Sequence, residues 1–300
     1  MRSRVLLVLL LTAHVAFSQT RAHILEVGVR GGMSQVLYIP ANGDSYPSIH
    51  AAFDLNYIYH SPYVIGLRTG LSLGRAGGTF GKTHYRDSYT TIDVEGATMR
   101  IGYDIDRFRE THTVLAASVP LQLALSWHHW NCYIGPRFSF PLQCTWHESA
   151  RNAALWVDYP DFDNRVEESV PLAASRNFDI SRSGTLRLPR WNCSASLELS
   201  YDLQISANNR PLAHFLSVGV YMDWLFTSVD MPTATAESLL MLTDTRDGFP
   251  LQRLLSPAYQ SLYQGKPLID YIHYFDVGVK LSWRLSAQGR KRYACKCIDM

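Results

Sequence analysis

A two-residue alternation of apolar and polar side chains constrains this chain more than any other feature of its sequence. It is clearest in residues 119–140, VPLQLALSWHHWNCYIGPRFSF, where two alternating runs are separated by His128 and His129. Successive side chains of a β-strand point to opposite faces, so Val119 and Leu121 share a face. The pattern predicts an antiparallel hairpin with one apolar face.

The same alternation recurs along the chain and predicts eight strands. They cover residues 23–32, 50–59, 63–74, 113–127, 130–140, 190–202, 213–226 and 274–285. The links between them are alternately long and short, and the links after the second, fourth and sixth strands are short. Outer-membrane barrels have this asymmetry, with tight periplasmic turns and long extracellular loops. We therefore expect an all-β fold, an eight-stranded antiparallel up-and-down transmembrane β-barrel with long extracellular loops.

The two faces of the predicted strands differ in charge. One face is apolar and carries no charge, as a lipid-facing surface requires, because an Arg or Lys at the bilayer midplane costs about 2–4 kcal/mol. An eight-stranded barrel is just wide enough for side chains to fill its interior, and each buried charge there needs a partner. The second face therefore predicts a lumen filled by ion pairs. Its charged residues are Glu26, Arg30, Asp54, Arg68, Arg137, Glu198, Asp202, Asp223, Asp276, Lys280 and Arg284.

Aromatic residues cluster at the ends of the predicted strands. Tyrosine and tryptophan rings favour the boundary between lipid and water, so barrels carry an aromatic girdle at each boundary. The predicted girdle residues are Tyr57, Tyr59, Tyr63, Trp127, Trp130, Phe140, Trp191, Tyr201, Trp224, Phe226 and Trp283.

The amino terminus predicts export. A basic start, MRSR, precedes the apolar run VLLVLLL, and small residues at Ala16 and Ser18 favour cleavage before Gln19. No later apolar run reaches the roughly 18 residues that a membrane-spanning helix needs. We expect a signal peptide at residues 1–18, an outer-membrane barrel at 19–285 and a periplasmic tail at 286–300.

Two features fit the predicted barrel less simply. Pro120 and Pro136 lie inside predicted strands, where each implies a bulge or a missing ladder bond. Residues 90–103, TTIDVEGATMRIGY, also alternate, although a ninth spanning strand would break the even strand number. We expect this segment to belong to a hairpin that extends from the barrel above the membrane.

Composition argues against several kinds of partner and cofactor. A net charge of +2 with scattered basic residues gives no support for nucleic-acid binding. Cys132 and Cys193 lie on apolar faces and are expected to pack rather than to form a bridge, while Cys295 and Cys297 lack further spaced metal ligands. His128 and His129 are adjacent in a turn, which disfavours joint metal ligation. We expect no cofactor and no metal site.

Five segments resemble one protein family. They are HILEVGVRGG, YVIGLRTGLSLG, VPLQLAL, YIGPRFSF and YFDVGVKLSWRL. Together they are similar to the small outer-membrane β-barrel family widespread in Bacteroidetes, often labelled PorT-like or outer membrane protein β-barrel domain. The resemblance covers nearly all of the mature chain. It implies an eight-stranded barrel in the outer membrane of a Gram-negative, Bacteroidetes-like cell, with no shared catalytic residues. One relative takes part in type IX secretion, and this chain differs by long third and fourth loops and by its tail.

The first functional hypothesis is a non-enzymatic membrane barrel that displays its long loops. The third and fourth loops are rich in aromatic and aliphatic residues, so plain disorder is disfavoured. We expect the loops to fold over the barrel mouth, where they contact each other or bind a protein or glycan partner. The bilayer of the outer membrane is the other expected partner, and the role is structural or related to the envelope or to secretion.

Two alternatives stay open at this stage. One is a lipid-modifying enzyme, for which His147, Glu148 and Ser149 beyond the fifth strand are the candidate cluster. The other is a secreted, lipocalin-like soluble barrel, in which the apolar face would line the interior and the charged face would meet water. Alternation alone does not separate the second alternative from a membrane barrel.

Overall fold

The structure is a computed structural model, and it describes most of residues 22–288. The described residues are 22–40, 43–60, 65–92, 96–127, 129–160, 164–166, 178–186, 188–205, 212–225, 229–230, 236, 238–243 and 252–288. Several residues discussed above lie outside the described residues. They are the expected signal peptide, Tyr63, His128, Phe226 and residues 289–300, which include both terminal cysteines. The described residues contain no helix long and apolar enough to cross a lipid bilayer.

Eight antiparallel strands form a closed ring, which confirms the predicted fold. The ring order is β1-β2-β3-β4-β5-β8-β9-β15, and β15 pairs back with β1. The strands are β1 (Ala22–Ile39), β2 (Asp44–His60), β3 (Ile65–Ile92), β4 (Thr98–Trp127), β5 (Trp130–Tyr159), β6 (Asn164–Val166), β7 (Phe178–Thr185), β8 (Asn192–Gln204), β9 (Leu212–Leu225), β10 (Val229–Asp230), β11 (Leu240–Thr243), β12 (Gln252–Leu255), β13 (Leu262–Tyr263), β14 (Lys266–Pro267) and β15 (Tyr271–Gln288).

The first and last strands close the ring along their whole lengths. Ala22 lies opposite Gln288 at one end of the seam, and Ile39 lies opposite Tyr271 at the other. Ser286 to Gln288, which the sequence places in a tail, are therefore part of the last strand. Closure leaves no edge along this seam, so its backbone groups are paired within the barrel.

Strands β3, β4 and β5 are much longer than the sequence predicts. They contain 28, 30 and 30 residues, so most of the predicted links at 75–112 and 141–189 that the structure describes are strand rather than loop. The error has a physical cause. Beyond Arg75 the outward side chains become polar and the inward ones, such as Phe80, become apolar, which is the pattern of a sheet that faces water outside and a core inside.

These long strands form an extension that rises from the ring, which we call the β-extension. It comprises β3 from Arg75, β4 up to Thr113 and β5 from Thr145. Its β3–β4 hairpin includes the described part of residues 90–103, with Thr90 opposite Arg100, so this segment belongs to a projecting hairpin as expected. Strands β6 and β7 add to the outer edge of β5.

A line of irregular residues crosses the β-extension. His84, Asp106 and Asn152 occupy neighbouring strands where regular pairing is interrupted, and His84 and Asn152 both have φ of 50°. At this line two successive side chains of each strand face outward, so the alternation is reversed beyond it while the strands keep their register. Phe80 and Tyr85 therefore both point into the core, although an uninterrupted strand would place them on opposite faces.

The two prolines interrupt the ladder as predicted. Pro120 pairs with Arg137 across β4 and β5, and the next described pair is Leu123 with Ile134. Proline has no backbone N–H, so it cannot donate a ladder bond at these positions.

The last loop fills the inside of the β-extension. Its described residues form the hairpins β11–β12 and β13–β14 and a 3-10 turn at Ala258–Gln260. Leu239, Leu255 and Tyr259 are almost fully buried in an apolar core with residues of β3, β4 and β5. We call residues 255–261 the plug. The interior therefore has two levels, a charged lumen within the ring and an apolar core above it.

Candidate functional site

An apolar belt surrounds the lower part of the barrel. Between its two rims, the described outward positions of the eight ring strands hold no Asp, Glu, Lys or Arg. Side chains that a soluble protein would bury are exposed here, with Val279 at 62%, Leu71 at 62% and Val220 at 55%. An apolar patch this extensive marks a surface that contacts something other than water.

Exposed aromatic side chains lie at both ends of this belt. Trp127, Trp130, Tyr57 and Trp283 are exposed at the end nearest the short turns, and the Trp130 ring packs edge-on against Tyr201 at 5.1 Å. At the other end the exposed rings are Phe140, Trp191 and Trp224. Tyr59 is only half-buried, and Tyr63 and Phe226 are outside the described residues. The girdle role of these rings stays a prediction.

The charges predicted for the lumen lie inside the barrel, and Glu26 stands at the centre of the lower group. Its Oε1 atom lies 2.6 Å from Arg68 Nη2 and 2.5 Å from Lys280 Nζ, and its Oε2 atom lies 2.6 Å from Arg284 Nε. Asn56 also donates to Oε1 at 2.8 Å. One carboxylate therefore contacts three cations, and all four charged groups are almost fully buried.

Two further carboxylates complete this lower group. Glu198 lies 2.7 Å from Arg68 Nη1 and 3.2 Å from Lys280 Nζ, and Asp202 lies 2.6 Å from Arg284 Nη1. Three acids thus face three bases. The guanidinium groups of Arg68 and Arg284 also lie 4.4 Å and 5.3 Å from the centre of the Tyr133 ring, a cation–π geometry.

A second group of charges lies nearer the β-extension. Arg30 lies 2.9 Å from both Asp54 and Asp223, and Arg137 Nε lies 3.3 Å from the same Asp223 oxygen. Lys280 connects the two groups through a 3.6 Å contact with Asp54. Asp276 differs from the other ten predicted residues, because no described Lys or Arg lies within ion-pair distance of it.

Small residues let the side chains of the lumen pack closely. A Cβ atom added at Gly28 would stand 2.7 Å from the Cβ of Ser282 and 3.2 Å from Lys280 Cε. The long cationic side chains therefore occupy space that a larger residue would fill. At the level of Glu26 the interior is therefore filled by side chains, as expected for a barrel of eight strands.

Sequence reasoning missed a buried polar cluster inside the β-extension. Glu110 lies opposite Glu148 across β4 and β5, and both are fully buried. Glu110 Oε1 lies 2.7 Å from His112 Nε2, and Glu110 Oε2 accepts a hydrogen bond from the Ala258 backbone N–H at 2.6 Å. The Glu110 carboxylate on β4 therefore anchors the plug to the inner wall of the β-extension through a hydrogen bond.

Glu148 is the second acid of this cluster. Burial, followed by the neighbouring Glu110 carboxylate, raises the pKa of Glu148 to about 9. Glu148 is therefore protonated at neutral pH. The sequence does contain a signal for this cluster, because β4 and β5 each have a Glu at an inward position. The signal can be recognised only if residues 98–112 and 145–159 are predicted as strand.

The candidate catalytic triplet does not converge. His147 is exposed on the outside of β5, Glu148 is buried inside, and Ser149 is only partly buried on the outward face. Successive residues of a strand point to opposite sides, so His147 and Glu148 are separated by the barrel wall. The triplet is not a nucleophile–base arrangement.

The lipocalin-like alternative requires the apolar face of the strands to line the interior and the charged face to point outward. In this barrel Glu26, Arg68 and Arg284 are inside, and aliphatic side chains such as Leu71 and Val279 are outside. The arrangement is the reverse of a soluble ligand-binding barrel.

Cysteines and metal ligands form no further site in the described residues. Cys132, Cys144 and Cys193 are free thiols. Within the described part of the chain, no three His, Cys, Asp or Glu side chains are placed to hold a metal ion.

Comparisons with known proteins give similarity in structure only. No protein-family model matches the sequence, and no curated protein matches it significantly. Ail, the attachment invasion locus protein of Yersinia pestis, solved in complex with the heparin analogue sucrose octasulfate, is 9% identical and covers 88% of this chain and 98% of its own, with a TM-score of 0.25. Neisserial surface protein A is 8% identical over 87% of this chain and 95% of its own, with a TM-score of 0.26. Similarities of this size assign no function to this chain.

Proposed function

We propose that the protein is a non-enzymatic integral barrel of the bacterial outer membrane. The observation that carries this proposal is the charge-free apolar belt around a ring whose interior holds ion-paired charges. Exposed leucine and valine side chains are stable next to lipid, and the backbone of a closed barrel is satisfied within the ring. The signal peptide expected at residues 1–18 would deliver the chain across the inner membrane.

The proposal extends to orientation and family. The short turns between ring strands would face the periplasm, and the β-extension would face the outside of the cell. Membership of the Bacteroidetes PorT-like barrel family is part of the proposal, supported by the five similar segments and by the eight-stranded ring.

The role we propose is display of a rigid extracellular structure. The plug and the three long strands bury a common apolar core, so the β-extension is folded and can present its outer surface to a protein or glycan partner. An envelope-related or secretion-related structural role is consistent with this arrangement, and the absence of a converging catalytic triplet in the described residues disfavours lipid modification.

Fractionation tests the membrane assignment. Full-length protein expressed with its leader should sediment with outer membranes and resist extraction by carbonate. It should also migrate faster on a gel when unheated than when boiled, because a folded barrel stays compact in detergent. Recovery in the soluble periplasm, without a heat-dependent change in mobility, would refute the proposal.

Electrical recording tests the closed lumen. Purified protein inserted in planar bilayers should show no steady ion conductance, because Glu26 and its three cations occupy the interior. A Glu26→Ala, Arg68→Ala double variant provides the matched comparison, since it removes side chains from the constriction. Open-channel conductance in the unmodified protein would contradict a filled lumen.

A further inference from the structure

The hydrogen-bonded ladder of the barrel wall is interrupted between β5 and its neighbours, and we call this interruption the gap. Residues 130–139 of β5 pair with β8, and from Thr145 onward β5 pairs with β7. Between these two stretches, in the described residues, one backbone bond crosses from Leu186 N–H to the Cys144 carbonyl at 3.0 Å. Ladder pairing is therefore interrupted beside residues 140–144.

Two prolines explain why this gap forms. Pro141 lies on the β5 side and Pro189 lies on the opposite side. Neither can donate a ladder hydrogen bond, and proline is tolerated in a sheet only where pairing is absent or irregular. The register of β4 against β5 also shifts here, between Leu115 and Ala116. The interruption is thus specified by the sequence on both sides.

A cavity of about 100 Å³ lies directly behind the gap. Ser139, Pro141, Leu188 and Asn192 from the two sides of the gap form part of its lining, so the cavity reaches the barrel wall at this point. A buried water needs about 10–15 Å³. The space therefore suits a small polar group, but a long hydrocarbon chain would not fit within it.

The inner wall of the cavity offers polar atoms of both signs. Arg137 is 4% exposed, and its Nη1 atom has no hydrogen-bond partner in the described structure. Asp223 Oδ1 and Asp276 Oδ1 also lack a hydrogen-bond partner in the described structure, and Asp223 is buried, with 6% exposure. A buried polar group without a partner costs free energy, so these atoms favour a ligand that supplies both an acceptor and donors.

The outer rim of the gap is apolar. Phe140, Leu142 and Trp191 are exposed by 42%, 61% and 55%, and they lie at the end of the belt nearest the β-extension. A molecule that occupied the cavity and passed through the gap would therefore meet hydrocarbon immediately outside it.

We propose that this cavity binds the zwitterionic head group of a single-chain phospholipid and that the acyl chain leaves through the gap into the surrounding lipid. The phosphate accepts hydrogen bonds from Arg137 Nη1, and the ammonium group donates to the free oxygens of Asp223 and Asp276. The inference rests on the proposed membrane placement, because the chain needs lipid outside the gap.

Binding of lysophosphatidylethanolamine to the purified full-length protein in non-ionic detergent tests this site. Native mass spectrometry should show one saturable adduct. Lysophosphatidylglycerol, which lacks the ammonium group, and monoacylglycerol, which lacks the phosphate, should each bind about tenfold more weakly. Adducts that accumulate without saturation and without preference for the head group would overturn the proposal.

Variants locate the site and provide the controls. Asp276→Asn should remove the preference for the ammonium head, and Leu188→Trp should abolish the adduct by filling the gap. Leu71→Trp, at an exposed position of the belt in β3 and outside both the gap and the cavity lining, should bind normally, and heat-dependent gel mobility shows whether each variant is folded. Unchanged binding by folded Asp276→Asn and Leu188→Trp proteins would refute the site.

The binding result is separable from the membrane assignment. Outer-membrane recovery without head-group preference would refute the cavity alone. Head-group preference in a protein recovered from the soluble periplasm would refute the membrane placement and, with it, the proposed path of the acyl chain.

Discussion

Glu26 in the first strand and Arg284 in the last strand are direct cross-strand partners, and Glu26 Oε2 lies 2.6 Å from Arg284 Nε. The pair therefore lies on the seam that closes the barrel. The other oxygen of the same carboxylate contacts Arg68 and Lys280, so one side chain connects both strands of the seam with β3. Closure of the ring and neutrality of the lumen depend on the same residue.

Glu26→Ala should strongly destabilise the barrel. The change leaves three buried cations without their shared acceptor, and removal of one partner from a buried ion pair costs about 3–5 kcal/mol. Urea unfolding of the protein in lipid vesicles, followed by tryptophan fluorescence, measures the free energy of unfolding. Asp104→Ala is the control, because Asp104 pairs with Arg86 on the exposed face of the β-extension, where solvent and salt screen the pair and its loss should have little effect. Equal losses in the two variants would contradict the central role of Glu26.

Val279→Arg should destabilise the protein only in lipid. Val279 is 62% exposed midway along the membrane-facing part of β15, where an arginine costs about 2–4 kcal/mol if the belt faces hydrocarbon. The free energy of unfolding from vesicles measures this cost. Ser88→Arg, on the outer surface of the β-extension, should be close to neutral. A neutral Val279→Arg variant would mean that the belt does not face lipid.

The β-extension should become less stable as pH rises. The pKa of Glu148 is raised from 4.5 to about 9, so the folded form keeps a proton that the unfolded chain releases. Its contribution is greatest below pH 4.5, falls as pH rises between these two values, and changes no further above pH 9. Limited proteolysis of the plug at pH 5, 7 and 9 should therefore show increasing cleavage.

Glu148→Gln is the matched variant for this pH dependence. Glutamine keeps the size of the side chain but does not titrate, so cleavage of the plug should increase less between pH 5 and 9 than in the unmodified protein. The same pH dependence in both proteins would assign the effect to other groups.

Tyr259→Ala should loosen the plug while the ring stays folded. The Tyr259 ring is 3% exposed and packs edge-on against Trp146 at 6.3 Å, and removal of a buried aromatic side chain costs about 3–5 kcal/mol. Protease cleavage within residues 255–261 should increase, while heat-dependent gel mobility is retained. Tyr46→Ala, at a 40% exposed position in β2, serves as the control. Loss of the folded ring in Tyr259→Ala would show that the two levels of the interior unfold together.

The membrane-facing ring was predictable because its two signals are local. Alternation places Val279 and Leu281 on one face, and the exclusion of charge from that face identifies it without knowledge of any partner strand. The β-extension was not predictable by the same reasoning. Thr111 and Arg109 point outward like Leu121, but they are polar, so a search for an apolar outer face ends the strand too early.

The sequence by itself determined the period of two, the number of ring strands and the set of charges that share a face. It did so because the pleat of a strand converts residue spacing directly into side-chain direction. Only the tertiary structure decided that Glu26 serves three cations, that Glu110 meets Glu148, and that the gap beside Pro141 opens onto Arg137. These contacts depend on strand register and on ring closure, which join segments far apart in the sequence. They also depend on surroundings that change from lipid to water along one strand, so no single alternation pattern describes the whole strand.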